Sequence, residues 1–252
     1  AITMPDRHAI PDPHPVDWSM RHAALFDLDG VLTPTAALHR RAWREMFQDY
    51  LASRQGVAPY TEQDYFEHLD GRPRFDGVRE VLASRGINLP DGRPDDAGDQ
   101  LTVHGLGNRK NLVFAELLAR EGVEPYSGAE ELLERLHEQG VRTAVVSSSR
   151  NARQVLAAAG LLERFELVVD GGVAGAHHLA GKPAPDTFRF AADQLHEPVE
   201  LCVVVEDATS GVQAGRDGGF GTVVGVDRGA GAAALLDAGA DVVVTSLEEL
   251  LP

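Results

Sequence analysis

The chain is short of lysine. Among 252 residues only Lys110 and Lys182 carry an ammonium, against 21 arginines. Arginine evidently serves wherever a solvated cation suffices, so the two lysines matter if both places prove chemically special. Cysteine is scarcer still: Cys202, inside the apolar run LCVVV, is the single one. That excludes an internal disulfide and leads us to expect a reducing, cytoplasmic home. No stretch approaches the roughly 20 apolar residues that span a bilayer. The opening AITMPDRHAIPDPHPVDWSM lacks the continuous apolar segment of a signal peptide and reads as an extended arm over residues 1–20. Positive charge is also in deficit, with 23 Lys and Arg against 39 Asp and Glu and a formal net charge of −16. No basic run offsets that field, so neither nucleic acid nor a membrane is an expected partner, and a monomer is the expected state.

What the chain does have is apolar content, 43% of its residues, arranged in short runs. AALF, VRTAVV, ELVV, LCVVV, GTVVGV and DVVV lack polar alternation, end in polar residues and are separated by helical patterns. Runs of this kind suit strands buried on both faces, as in a parallel sheet covered by helices. The fold class is therefore α/β, with a doubly wound, Rossmann-like parallel sheet. Between the runs, Ser127 and Glu130 have the spacing of a capping box before an apolar stripe of Leu132, Leu133 and Leu136, closed by Gly140. NARQVLAAAG places Val155, Leu156 and Ala159 on one helix face, and another helix is expected from Pro185, with Phe188, Ala191 and Leu195 inward.

One region breaks the alternation. Residues 35–116 hold no buried-strand run, only helical periodicity: Leu38 to Leu51, Tyr65 to Leu69, Val78 to Leu82 and Leu112 to Leu118. We expect an α-helical domain inserted after the first strand, with residues 21–34 and 117–252 forming the α/β core.

Ligands of open parallel sheets bind outside the carboxyl ends of the strands, so the residues following each run are candidate site residues. The first run delivers Asp27 and Asp29 in LFDLDG, the second Ser147, the fourth Glu206 and Asp207; Lys182 sits in GKPAPD. Asp-Gly alone signals a turn. Several carboxylates converging on one point, however, need a hard cation such as Mg²⁺ among them, and such a cation takes substrate phosphate as a further ligand. A serine hydroxyl and a lysine ammonium suit a phosphoryl group, and an aspartate can attack it to form an aspartyl-phosphate. Two acids in one site are useful when one attacks and the other shuttles a proton.

Quoted in order, FDLDGVLT, VVSSS, GKPAPD and VVVEDATSGVQAG resemble the four motifs of the haloacid dehalogenase superfamily. The second acid, Asp29, resembles the phosphotransferase branch, and the helical insertion resembles the subclass with a small α-helical cap. Within that subclass the chain is similar to the β-phosphoglucomutase family. GVLTPTAALHRRAW resembles the strand-to-cap linker, with Thr35, His39, Arg41 and Trp43. GRPRFDG resembles the substrate-specificity loop, with Arg74 at a phosphate-binding position, GNRKN places Lys110 at a cap lysine, and SSSRN places Ser147, Ser149 and Asn151 at phosphate-binding groups. Two positions depart from the pattern: Pro34 stands where an aspartate is common, and Asp70 where some members have lysine.

The resemblance implies catalytic roles for Asp27, Asp29, Ser147 and Lys182, and Mg²⁺ held by Asp27, the Asp29 carbonyl, Glu206 and Asp207. It implies contacts from Thr35, His39, Arg74, Lys110, Ser149 and Asn151 to a small phosphorylated sugar. The expected activity is conversion of β-glucose 1-phosphate to glucose 6-phosphate through the 1,6-bisphosphate. A sugar-phosphate phosphatase is the alternative, in which water attacks the aspartyl-phosphate. A non-catalytic sugar-phosphate-binding module is the remote one, and phosphonate cleavage would want a Schiff-base lysine in the cap.

Overall fold

Every apolar run of the sequence is a strand. In this computed structural model, which describes residues 14–252, they are β1 (Ala23–Phe26), β2 (Arg142–Val146), β3 (Leu167–Val169), β4 (Cys202–Glu206), β5 (Thr222–Val226) and β6 (Val242–Val244). All pair in parallel in the order β3-β2-β1-β4-β5-β6. Side chains alternate between the two faces. Ala24 and Phe26 therefore join Val145, Val203 and Val205 in one apolar cluster, while Ala23 and Leu25 join Ala144, Val146 and Val204 in another. Helices cover both clusters, which is why no strand shows polar alternation. The winding reverses when the chain leaves β3 and lays β4 on the other side of β1, which opens a crevice at the carboxyl ends of β1 and β4.

Between β1 and the rest of the sheet the chain forms only helix: α1 (Thr35–Ala52), α2 (Glu62–Asp64) running into a π turn at Tyr65–Leu69, α3 (Arg74–Ser84) and α4 (Val103–Glu121). The core's own helices follow as α5 (Ala129–Glu138), α6 (Ala152–Ala158), α7 (Gly171–Ala176), α8 (Asp186–Gln194), α9 (Thr209–Asp217) and α10 (Ala232–Ala238). The inserted block has its own apolar centre, in which Met46 and Phe47 pack with Tyr65, Val78, Val81 and Leu106. Two helices serve both centres. Leu38 and Ala42 of α1, with Phe114, Leu117 and Leu118 of α4, pack into the sheet's cluster, whereas Trp43 onward in α1 and Val103 and Leu106 in α4 pack into the block's. The side-by-side pair α1 and α4 is thus the mount that carries the block over the strand ends. Thr102 starts α4, its Oγ1 accepting the Gly105 N–H at 2.9 Å.

Three local expectations need correction. Ser127 does not cap α5: the N-cap is Gly128, in a left-handed conformation at φ 86°, and the Ser127 hydroxyl is drawn to Glu248 instead. Leu112 lies on the outer face of α4 and is exposed, so the apolar stripe there begins at Phe114. Of the expected arm, residues 1–13 lie outside the described residues, and the remainder is docked rather than extended. Val16 and Trp18 are buried in the sheet's cluster, and Trp18 Nε1 donates to the Leu250 carbonyl at 2.7 Å. Among the described residues no helix is long and apolar enough to cross a membrane.

Docking of this segment predicts that Trp18→Ala costs roughly 3–5 kcal/mol, the usual loss for deleting a buried large aromatic. Urea unfolding of the variant measures it. A loss below about 1 kcal/mol, typical of surface positions, would mean that the segment is not part of the core.

Candidate active site

The β1 ladder does not stop at Phe26: the Asp27 N–H still donates to the Val205 carbonyl at 2.9 Å, which fixes Asp27 beside the end of β4. Leu28 turns into the apolar cluster, so Asp27 and Asp29 both face away from it. Gly30 then reverses the chain at φ 83°, a conformation costly for any other residue, and a Cβ there would fall 2.0 Å from Asp207 Oδ2. Gly211 does the same for the other acid, since its Cβ would fall 2.0 Å from the Glu206 carboxyl group. The two glycines clear the space in which Asp207 and Glu206 stand.

Asp27, Glu206 and Asp207 are all buried and offer carboxylate oxygens within 4.8 Å of one another. Lys182 closes the cluster from below. The residue is only 2% exposed, and its ammonium donates to the Val146 carbonyl at 2.8 Å, Glu206 Oε1 at 2.5 Å and Asp27 Oδ1 at 3.2 Å. The Asp207 and Ala208 amides, at the start of α9, donate to Glu206 Oε2 at 3.2 and 3.3 Å. One ammonium does not balance three acids. Burial, then the Asp27 charge, pushes Glu206 up to about 8, and burial with Asp70 and Asp27 pushes Asp207 well above the carboxylate range. Burial raises Asp27 as well, against the pull of Lys182. Lys182 is raised too, for the opposite reason: burial opposes its charge, but Asp27 and Glu206 outweigh burial and hold it above the ordinary lysine value.

Asp29 has different company. Thr35 Oγ1 donates to its Oδ1 at 2.5 Å, and His39 Nε2 lies 3.1 Å from the same oxygen. On the other side of the ring, Lys110 Nζ donates to His39 Nδ1 at 2.7 Å. That contact makes Nδ1 the acceptor and leaves the ring proton on Nε2, pointing at Asp29. The imidazole is stacked on Phe114 at 3.9 Å, and burial followed by the Lys110 charge lowers its pKa. Burial tends to raise Asp29, yet His39 and Thr35 together hold it below the usual carboxylate range. Two acids two residues apart are thereby pushed in opposite directions, Asp27 up and Asp29 down.

Above them lies a cleft between the core and the inserted block. The core supplies Asp27, Asp29, Asp207, Ser147 and Ser149, and the block supplies His39, Arg74 and Lys110. Of the remaining residues singled out in the sequence, Lys182 and Glu206 sit beneath the floor, where they hold the acids rather than line the opening. Thr35 and Asn151 do not reach the cleft. Thr35 is fully buried behind Asp29, to which its hydroxyl is bonded, and Asn151 Nδ2 is occupied by Asn111 Oδ1 at 2.6 Å. At the far wall, burial, with Arg74 adding its charge, brings the Lys110 ammonium down to about 7; burial next to Arg150 lowers Arg74 to about 10.

Sequence reasoning did not single out Tyr65, Arg72 or Ser148 for the site, yet all three line the cleft. Ser148 Oγ donates to the Gly71 carbonyl at 2.8 Å and so ties the block to the core. A middle serine in SSS carries no signal for such a bond. Arg72 was visible in GRPRFDG, but its pairing with Glu80 at 2.6 Å is not.

A family model described as haloacid dehalogenase-like hydrolase matches residues 22–219. Proteins named β-phosphoglucomutase from Mycobacterium bovis and Mycobacterium tuberculosis are each 50% identical over 238 residues, covering 91% of this chain and 91% of the relative. A crystal structure of β-phosphoglucomutase from Clostridium difficile shares the fold, with a TM-score of 0.73 at 24% identity over 91% of this chain and 93% of that one. Sheet order, inserted helices and family match agree, and the chain belongs to the haloacid dehalogenase-like hydrolases.

Proposed function

We propose that the protein is a β-phosphoglucomutase, acting in the cytoplasm, in which residues 35–116 form a cap over the phosphoryl-transfer site. The observation that carries the reading is the cleft's two linings: a buried acid cluster braced by Lys182 on the core side, and Arg74 with Lys110 on the side of the inserted block. A mutase must grip a second, non-reacting phosphate while the first is transferred, and the cations of the inserted block suit that task. The identity to proteins of that name supports the same reading.

The donor set fits Mg²⁺. Three buried carboxylates with oxygen-only donors, in space kept open by Gly30 and Gly211, match a hard cation. Asp27 and Asp207, with the Asp29 carbonyl, would hold it and Glu206 would stand close by. When bound, it would neutralise the acids and the charge of the transferring group.

The chain's own residues do the rest. Asp27 attacks the phosphorus in line, and the bond to the sugar oxygen breaks as an aspartyl-phosphate forms. Asp29, an ionised carboxylate, takes a proton from the incoming hydroxyl and later returns it to the departing oxygen, with His39 and Thr35 orienting it. Ser147 faces the charge on the phosphoryl group, Lys182 offsets it from beneath through Asp27, and the cap keeps water out. In turnover the phosphoenzyme passes its phosphate to the 6-hydroxyl of β-glucose 1-phosphate. The bisphosphate reorients and returns its 1-phosphate to Asp27.

Incubation with Mg²⁺, β-glucose 1-phosphate and a trace of the 1,6-bisphosphate should yield glucose 6-phosphate in step with substrate lost; free phosphate as the main product would replace the mutase by a phosphatase. Asp27→Asn should abolish turnover under either reading, a loss of at least roughly a thousandfold. A pH series tests the far wall. Rising pH removes the Lys110 proton near 7, so kcat/KM should fall by about tenfold per pH unit above that point. Lys110→Arg, whose guanidinium stays charged, should lack that falling limb; a wild-type profile flat to about pH 9 contradicts a binding role for the ammonium.

A further inference from the structure

Of the charged side chains that the inserted block brings to the cleft, one has the wrong sign for the ligand. Arg72, Arg74 and Lys110 on the block side are cations that suit phosphate, yet Asp70 lines the same cleft. An anion facing a phosphate ester is repulsive unless the ligand donates hydrogen bonds to it, and the donors of a sugar phosphate are its ring hydroxyls.

Asp70 is also held rigidly. Ser210 Oγ, from α9, donates to its carbonyl at 3.0 Å, and Ser148 Oγ, beyond β2, donates to the next carbonyl, that of Gly71, at 2.8 Å. Gly71 adopts φ 71°, and a Cβ there would come 2.5 Å from Ser210 Oγ, so only glycine lets the turn seat between the two serines. The carboxylate is fixed in turn: the Tyr65 hydroxyl donates to Oδ1 at 3.1 Å, and the Arg40 guanidinium lies over the Tyr65 ring at 5.0 Å. Among the described residues Oδ2 accepts no hydrogen bond, although Asp70 borders the cleft. Asp70 stands outside the buried three-carboxylate cluster.

We propose that Asp70 is a specificity-determining residue: its free carboxylate oxygen accepts a hydrogen bond from one ring hydroxyl of the phosphorylated sugar. The site thereby favours polyhydroxylated phosphates over those lacking that hydroxyl. The proposal rests on the reading of the substrate as a sugar phosphate. A pre-placed charged acceptor gives discrimination through the penalty of leaving it unpaired.

The test is a cycle of kcat/KM values, reading total turnover as sugar 6-phosphate plus free phosphate. The substrates are β-glucose 1-phosphate and its 2-, 3- and 4-deoxy analogues, with wild type, Asp70→Asn and Asp70→Ala. In the wild type one analogue should fall roughly ten- to a hundredfold below the parent, the range expected for a hydrogen bond to a charged group. With Asp70→Ala that gap should close to about twofold, while the other analogues keep their wild-type ratios. Ratios are taken within one variant, so partial misfolding cancels. An equal loss on all four substrates, or a shift confined to Mg²⁺ activation, overturns the proposal. Free phosphate replacing glucose 6-phosphate in the wild type would overturn the mutase alone and leave the hydroxyl cycle readable; no turnover of any of the four overturns both.

Discussion

The site is organised around one buried ammonium. Lys182 is almost wholly buried and has three acceptors, two of them carboxylates at the ends of different strands. Removing it would leave Asp27, Glu206 and Asp207 packed together with nothing but amides and each other to face, an arrangement that burial makes prohibitive for three charges. The lysine therefore sets where the acids sit and how much of their charge survives. An ammonium suits this place better than a guanidinium, because three acceptors approach one nitrogen from different directions. The loop that carries it lies far from β1 in sequence, so the cluster exists only once β1 and β4 have paired.

A second chain of contacts links chemistry to the inserted block. Asp29 stands on the core, His39 on α1 and Lys110 on α4, and hydrogen bonds run through all three. α1 and α4 are also the two helices shared by both apolar centres. Any movement of the block relative to the sheet acts through these helices on the company of Asp29. The acid we propose as the proton shuttle is thus coupled to the position of the inserted block, whereas Asp27, on the strand end, is tied to the sheet.

Legibility in the sequence followed the range of the interactions. The six strands were readable because each is buried on both faces, and Asp27, Ser147, Glu206 and Asp207 were readable because strand ends are where parallel sheets place ligands. Both lysines mark special positions, one beneath the floor and one on the far wall. Pairings between distant side chains were not readable. Ser127 has the local pattern of a cap, but Glu248 competes for its hydroxyl from 121 residues away. Thr35 and Asn151 point to partners, Asp29 and Asn111, that nothing in their own neighbourhood names. Trp18 looked like part of a proline-studded arm because its partner, the Leu250 carbonyl, lies 232 residues on.

The most direct measurement is of where the phosphoryl group rests in mid-reaction. The enzyme, mixed with Mg²⁺ and the 1,6-bisphosphate and quenched in acid, is digested and its peptides are mapped by mass spectrometry. The account predicts a single hydroxylamine-labile phosphoryl adduct on the peptide bearing Asp27, absent when Lys182 is replaced by methionine. An adduct on another residue, or steady turnover with no adduct at any quench time, would contradict it.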